Sequence, residues 1–430
     1  MTSPTGQRSR CGLDTVEIAR MESLLRDRTP AELGDLFTTR ELEDAGTGPG
    51  RVATLAARFA AKEACLKLFP RETALGMIHP VDFSIHRDAY GEPQVDVSPG
   101  AQAVLDRQRV ARLRVSLTHT DNAASAIVWA DPRETVVPWF GKLLYYLLPY
   151  RRHLVLANLR RVFGDVLPEA GIVRLAQAYY AHYLRFLLEF FRQHFMSEKR
   201  RSAWIKVENM ESPLRAHAQG KGLFMLTGHF GNFEVATVAG IARFPQYQGL
   251  FYFIRRALKP AWLNYLVTWR FRRAGFGTLS KRGSLDAIFD VLNRGGIIVY
   301  VFDQHAGGTD GIAVDFFGHP AGTFKSLAIL ALQTGTPVVP ASSWREPDGT
   351  HVIRFEEPLP LIECDDVGEA IRRNTRAYNA VLERMLLRHP EQWIWMHRRW
   401  KLRDPAHNEQ QSPIKFENSF VRKEEPSSQS

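Results

Sequence analysis

The sequence predicts two domains, an α+β unit followed by an α/β unit with helices ahead of its sheet. Three observations carry that reading. The first is length: 430 residues exceed the size at which a single hydrophobic core stops growing. The second is pattern. Residues 12–130 alternate short strands with helices and close on a pair of strands, whereas 222–360 repeat short buried-strand runs separated by helical stretches, the pattern of a largely parallel sheet. The third is the polar, proline-bounded break DPRETVVP (131–138) between them, a linker signal. The expected boundaries are therefore 11–131, a linker at 132–138, 139–403, and a tail at 404–430.

Within the first unit, GLDTVEI reads as a strand leading into a helix and RFAAKEACLKLF as a helix with Ala and Leu at helical spacing. DFSIHRDAYGEPQVDV reads as a hairpin turned at Tyr90-Gly91, and LRVSLTHT with SAIVWA as the closing strands. After the linker comes WFGKLLYYLLPYRRHLVLANLRRVFG (139–164). This is either an ordinary packed helical hairpin or an interfacial segment. In the second case Trp139, Phe140, Leu143, Leu144, Tyr145 and Leu148 would sit in the headgroup boundary, with Lys142, Arg151 and Arg152 on phosphates. Residues 172–196 continue helically with a surplus of aromatic residues. GLFMLT, GLFYFI, GIIVYVF and VVPASS are the strand runs of the second unit. The tail is polar, without periodicity, and is expected to be disordered.

Charge is divided unevenly. Residues 1–133 carry 17 Lys and Arg against 18 Asp and Glu, and the remainder carries 39 against 28. The whole excess of +11 therefore lies in the second part, a surface suited to anionic lipid headgroups or an acidic carrier protein. No groove-reading motif points to nucleic acid. Three separated cysteines, Cys11, Cys65 and Cys364, form neither a disulfide framework nor a zinc site, which argues for a reducing cytoplasm. The N-terminus MTSPTGQRSR is not a signal peptide, and no run reaches the ~18 apolar residues of a membrane span.

Two residue groups carry chemistry. Asp14 ends the first strand, Glu63 sits in the RFAAKEACLK helix, and Lys67 follows four residues later on the same face. Arg58 and Lys62 add cationic reach. Hard oxygen ligands beside a lysine suit phosphoryl transfer from a diphosphate. In the second unit, LFMLTGHFGNFE (223–234) places His229 and Glu234 at a strand-to-helix turn loosened by Gly228 and Gly231, with Asn232 as the helix cap. Glu234 in the first helical turn is expected to accept from one imidazole nitrogen and leave the other basic toward a hydroxyl.

GLDTVEIAR, RFAAKEACLK and VSLTHT together resemble the holo-acyl-carrier-protein synthase family of 4′-phosphopantetheinyl transferases over residues 11–131. The resemblance implies Asp14 and Glu63 as Mg2+ ligands, Lys67 as the pyrophosphate contact and His119 as a coenzyme A contact, with Arg58 and Lys62 near the cofactor. It also implies an acyl carrier protein as partner and a homotrimer, and Arg20, Arg26 and Arg28, on the helix after Asp14, carry the charge to meet an acidic carrier helix. The chain departs from the family after the lysine helix, where LFPRETALGMIHP stands in place of a glycine-rich stretch. Residues 139–402 resemble the lauroyl/myristoyl-type lipid A biosynthesis acyltransferases through the His-x4-Glu motif, FIRRALKP, FDQ, FFGHPAGT and HPEQWIWMHRRW. That resemblance implies His229 as general base, Glu234 as its orienting partner, Arg255 on phosphate or developing charge, and Asp303 in support. The expected protein is a bifunctional transferase passing an acyl group from carrier to a glycolipid hydroxyl, peripheral on the cytoplasmic side of the inner membrane. The alternatives are an acyltransferase with a carrier-docking N-terminal module, and a non-catalytic scaffold.

Overall fold

The computed structural model describes residues 10–70, 76–148, 150–241, 244–255, 259–280 and 285–401. The expected tail at 404–430 and part of the departing 69–80 stretch lie outside the described residues. The first unit is built on strand β1 (Arg10–Glu17), helices α1 (Ile18–Asp27), α2 (Pro30–Gly34), α3 (Thr39–Asp44) and α4 (Arg51–Leu66), and the hairpin β2 (Phe83–Arg87) and β3 (Pro93–Val97). Helix α5 (Pro99–Arg107) and strands β4 (Val110–His119) and β5 (Ala123–Pro132) complete it. The order β1-β5-β4 is antiparallel throughout. Alternation is strict on β5: Ala124, Ala126, Val128 and Ala130 are buried, while Ser125, Ile127 and Trp129 point the other way.

The long helix α4 covers the buried face of that sheet, and Gly12 sets how closely. A Cβ at Gly12 would collide with the Ala64 carbonyl oxygen, so only glycine lets β1 and α4 approach this far. Ala56, Ala57, Ala60, Ala61 and Ala64 continue the small-residue contact along the helix.

The second unit begins with α6 (Trp139–Leu147), α7 (Arg152–Phe163), α8 (Glu169–Arg192) and α9 (Glu198–Ala203). Then follow β6 (Ile205–Glu208), α10 (Glu211–His217), β7 (Leu223–Thr227), α11 (Phe233–Ile241), β8 (Phe251–Arg255) and α12 (Ala261–Arg273). Next come β9 (Gly277–Ser280), α13 (Leu285–Asn293), β10 (Ile297–Val301), and the hairpin β11 (Gly311–Phe316) and β12 (His319–Phe324). The unit closes with α14 (Ser326–Thr334), β13 (Val338–Arg345), β14 (His351–Phe355) and α15 (Val367–Arg388). Seven strands form one sheet in the order β6-β14-β13-β7-β10-β8-β9, parallel from β13 through β9. The fold class expected from pattern is the one found, two units of α+β and α/β type.

The segment 139–163 divides in two. Helix α7 is ordinary core, with Val155, Leu159, Val162 and Phe163 fully buried. Tyr145, expected at a headgroup boundary, is instead packed inside against Tyr180, 6% exposed. Arg151 and Arg152 donate to the carbonyls of Met396 and Tyr145. Trp139, Leu143, Tyr146, Leu147 and Leu148 do stand out in solvent.

The break at 131–138 is not a slack tether. Arg133 pairs with Asp106 at 2.7 Å and donates to the carbonyls of Leu387 and Arg388, joining α5 of the first unit to the end of α15 in the second. Arg107 adds an ion pair with Asp165 at 3.2 Å and lies over the rings of Phe163 and Phe317.

The Gly12 contact generates a stability test. Gly12→Ala forces α4 off the sheet and costs about 1–3 kcal/mol by overpacking. Gly34→Ala, where a Cβ would meet nothing within 4 Å, leaves the thermal unfolding midpoint in place. Equal midpoints for the two variants would contradict the close approach.

Candidate active sites

In the first unit, β1 and α4 bring two carboxylates and one lysine together. Lys67, at the C-cap of α4, holds its Nζ 2.6 Å from Asp14 Oδ1 and donates to the Leu13 carbonyl at 3.1 Å. Glu63 lies beside them, half-buried. Burial, and then the charge of Asp14, raise its pKa, against the opposing pull of Lys67 and Arg20. His119 ends β4 on the same sheet face: its partner is Ala124, which pairs in turn with Val16 of β1. Arg20, Arg26 and Arg28 are exposed on and just after α1.

Arg58 and Lys62 are not part of this site. They lie on the opposite side of α4, turned toward α3. Lys62 is fully buried, 2.8 Å from Glu41, and donates to the Phe83 and Pro80 carbonyls. Burial lowers its pKa and Glu41 opposes that shift. Arg58 bonds the Glu41 carbonyl and Asp44. Glu41 itself caps α3 and accepts from the Ile85 amide. A buried cation needs such partners, so the two expected cofactor contacts are structural.

In the second unit, the parallel register of β7 and β10 sets the chemistry. Val301 lies opposite Thr227, and the Phe302 amide donates to the Thr227 carbonyl. The next residue, Asp303, therefore lies against the loop that follows β7, at the carboxyl ends of the strands. Asp303 Oδ1 accepts from His229 Nδ1 at 2.8 Å, and Oδ2 accepts from the His229 amide at 2.7 Å and from Trp393 Nε1 at 2.8 Å. Burial alone would raise the pKa of this fully buried acid, but His229 and these bonds hold it well below the usual carboxylate range. For His229, burial lowers the pKa, and the charge and hydrogen bond of Asp303, with help from Glu234, more than offset it. The net shift is upward. An ionised Asp303 makes Nδ1 the donor, which leaves Nε2 as the nitrogen able to take a proton.

Glu234 was expected as that orienting partner, and the structure corrects this. It sits in the first turn of α11 as predicted, but its carboxylate faces Arg270 at 3.5 Å. Its pKa is raised by burial, against Arg270, Arg255 and His229. The imidazole goes to Asp303, 74 residues away in sequence, because adjacent parallel strands deliver it there. Arg255, at the end of β8, reaches Thr268 and Asn264 of α12 at 3.4 Å each. Asn232 is the predicted cap, accepting from the Val235 amide, and it also donates to Glu189. Gly231 has φ of +55° and no room for a Cβ against Ser343 and Trp344.

Four positions around the site escaped sequence reasoning. Trp393 lies within a motif noted for resemblance, yet nothing local gave it a role. Arg270 looks like one more helix arginine. The buried pair Glu189–Arg345, at 3.1 Å behind the catalytic loop, joins α8 to β13 and has no local signature at all.

His229, Glu234 and Arg255 line one cavity of about 920 Å³ whose remaining wall is largely apolar, including Phe233, Ile241, Phe253, Val267 and Phe271. Arg399 is not in it. It is buried, donating to the Gly322 carbonyl, Thr323 and Asn379.

Comparison with known proteins finds a family for each unit. The model of the bacterial lipid A biosynthesis acyltransferase family matches residues 113–402, and that of the 4′-phosphopantetheinyl transferase superfamily matches 10–128. The Escherichia coli K12 lipid A biosynthesis lauroyltransferase is 25% identical over 264 residues, 61% of this chain and 83% of that protein. The Streptomyces coelicolor holo-[acyl-carrier-protein] synthase is 38% identical over 120 residues, 28% of this chain and 94% of that protein. A solved holo-[acyl-carrier-protein] synthase from Neisseria meningitidis, 28% identical, covers 28% of this chain and 97% of its own, with a TM-score of 0.26. The chain belongs to both families, and it is a fusion of two transferases.

The dyad geometry predicts an order of effects on acyl transfer. His229→Ala and Asp303→Asn each lower kcat/KM by roughly 10²–10⁴-fold, and Glu234→Gln by less. A general base at His229 would work when neutral, so the raised pKa of that residue would place the acid limb of the pH–rate profile above the ordinary histidine value. Asp303→Asn removes the opposing charge, burial then dominates, and the limb moves to lower pH. An Asp303→Asn enzyme with wild-type rate and limb would show that the dyad is not the base.

Proposed function

We propose that the two halves act in sequence on one acyl carrier protein: the first installs its phosphopantetheine arm, and the second removes the acyl group that the arm carries. The observation that supports this best is His229, clamped through Nδ1 by Asp303 while the ring borders a large apolar cavity. A lipid hydroxyl is a poor nucleophile near neutral pH, and Nε2 takes its proton as it attacks the carrier thioester. The carrier thiol leaves, and no covalent enzyme intermediate is needed. Arg255 faces the phosphate or developing charge of the substrate. The acceptor class is a glycolipid, such as a lipid A precursor.

In the first half, the carrier serine attacks the β-phosphate of coenzyme A and releases adenosine 3′,5′-bisphosphate. Among the described residues no group of three or more His, Cys, Asp or Glu could hold a metal ion. Asp14 and Glu63, two carboxylates side by side, nonetheless fit Mg2+, which takes one or two carboxylates and completes its shell with waters and substrate phosphates. Asp14 and Glu63 would hold it, and it would supply charge neutralisation at the diphosphate. Lys67 contacts the pyrophosphate, and His119 the nucleotide. The boundaries we assign are 11–131 and 139–403, joined by 132–138.

No helix among the described residues is long and apolar enough to cross a membrane. We assign the chain to the cytoplasmic face of the inner membrane, held peripherally through the exposed apolar residues of 139–150. A second and third copy would cover the open face of the first sheet, where Leu13 and Trp129 are exposed, in a homotrimer.

The test uses the full chain with coenzyme A and an apo-carrier. The carrier mass rises by one phosphopantetheine when Mg2+ is present and not in chelator, and Glu63→Gln lowers the rate by at least roughly 10²-fold. Wild-type chain that yields no modified carrier, under conditions where acyl transfer proceeds, would replace this reading with a carrier-docking module.

A further inference from the structure

We propose that α12 is an interfacial helix, the wall between the acyl cavity and the surface of an anionic bilayer. This rests on the acyltransferase reading above and extends the membrane contact beyond 139–150.

The two faces of α12 are apolar for different reasons. Val267 and Phe271 are buried and line the cavity. On the other side Trp262, Tyr265 and Trp269 are 67%, 72% and 42% exposed. Positions i, i+3 and i+7 fall within one narrow stripe of a helix. A wall facing water would place polar residues there. Arg272 and Arg273 flank the stripe, and the Arg273 guanidinium lies 5.4 Å from the Trp269 ring. Indole and phenol rings beside arginine match the headgroup region, where an apolar ring meets phosphate.

The helices packed beside α12 expose apolar residues as well. Arg270 lies 4.6 Å over the Phe190 ring of α8, and next to Phe190 on that helix Leu188 and Phe191 are 58% and 60% exposed. Farther back on α8, Arg185 lies over the Phe140 ring of α6, the helix that presents Trp139 and Leu143. The exposed apolar residues of α6, α8 and α12 therefore lie on three helices in succession. The half that carries them also holds all of the excess positive charge, which complements anionic headgroups. Arg270 points the other way, to Glu234 beside the catalytic loop, so the helix that meets the bilayer is also tied to the site.

The experiment is flotation of the full chain with vesicles of phosphatidylethanolamine and phosphatidylglycerol. Three variants are compared: a Trp262→Ser, Tyr265→Ser, Trp269→Ser triple, the same triple to Phe, and Trp139→Ser with Leu147→Ser. The Ser triple is expected to lower partition by roughly ten-fold or more, and the Phe triple to retain most of it. Because all three side chains point outward, an unchanged thermal midpoint shows that folding is intact. A Ser triple that floats like the wild type while the Trp139/Leu147 pair does not would overturn the role of α12 and leave peripheral attachment standing. Wild-type chain that fails to float would overturn both.

Discussion

A single buried carboxylate organises the acyltransferase half. Asp303 is fully buried and accepts three hydrogen bonds, two from His229 and one from Trp393. Desolvation of such a charge is costly, and the three donors offset it at a carboxylate that is itself out of contact with water. In doing so they fasten together the end of β10, the loop after β7 and the segment that follows α15. The imidazole is held in one tautomer, the loop at Gly231 is held in a left-handed turn, and the cavity opens where these three elements meet. Replacing the carboxylate would leave Trp393 and the His229 amide as buried donors without an acceptor.

Identical residue types take opposite roles on α4, and burial decides between them. Lys62 and Arg58 point inward, where Glu41 and backbone carbonyls satisfy them. Lys67, five residues after Lys62, stands at the end of the helix beside Asp14 and Glu63, half-exposed. Spacing in the sequence placed Glu63 and Lys67 together correctly because that relation is local to one helix. It could not tell which cations face the core, since that depends on α3 and β2 packing from elsewhere.

The same distinction governs what was legible overall. Strands β7, β8, β10 and β13 were readable as short apolar runs, and the Asn232 cap from its place before FEVATVAG. Both come from neighbours in sequence. The assignment of His229 to Asp303 rather than Glu234 is a matter of strand order, which no local pattern encodes. The division of 139–163 into an exposed α6 and a buried α7 was likewise hidden, because both helices carry apolar residues at similar spacing and differ only in what packs on them.

The segment read as a linker has the composition of one, yet Arg133 donates to the last carbonyls of α15 while pairing with Asp106 of α5. Arg109 and Arg174 reach Thr135 from either side. With Arg107 wedged between Phe163 and Phe317, the halves share contacts beyond the peptide link itself. Where those contacts couple the unfolding of the halves, mass action applies across the fusion: a nucleotide held by the first half at a hundred times its Kd adds up to about 2.7 kcal/mol to the unfolding free energy of the second. The abundance of the acyltransferase would thus follow the supply of a molecule it never touches.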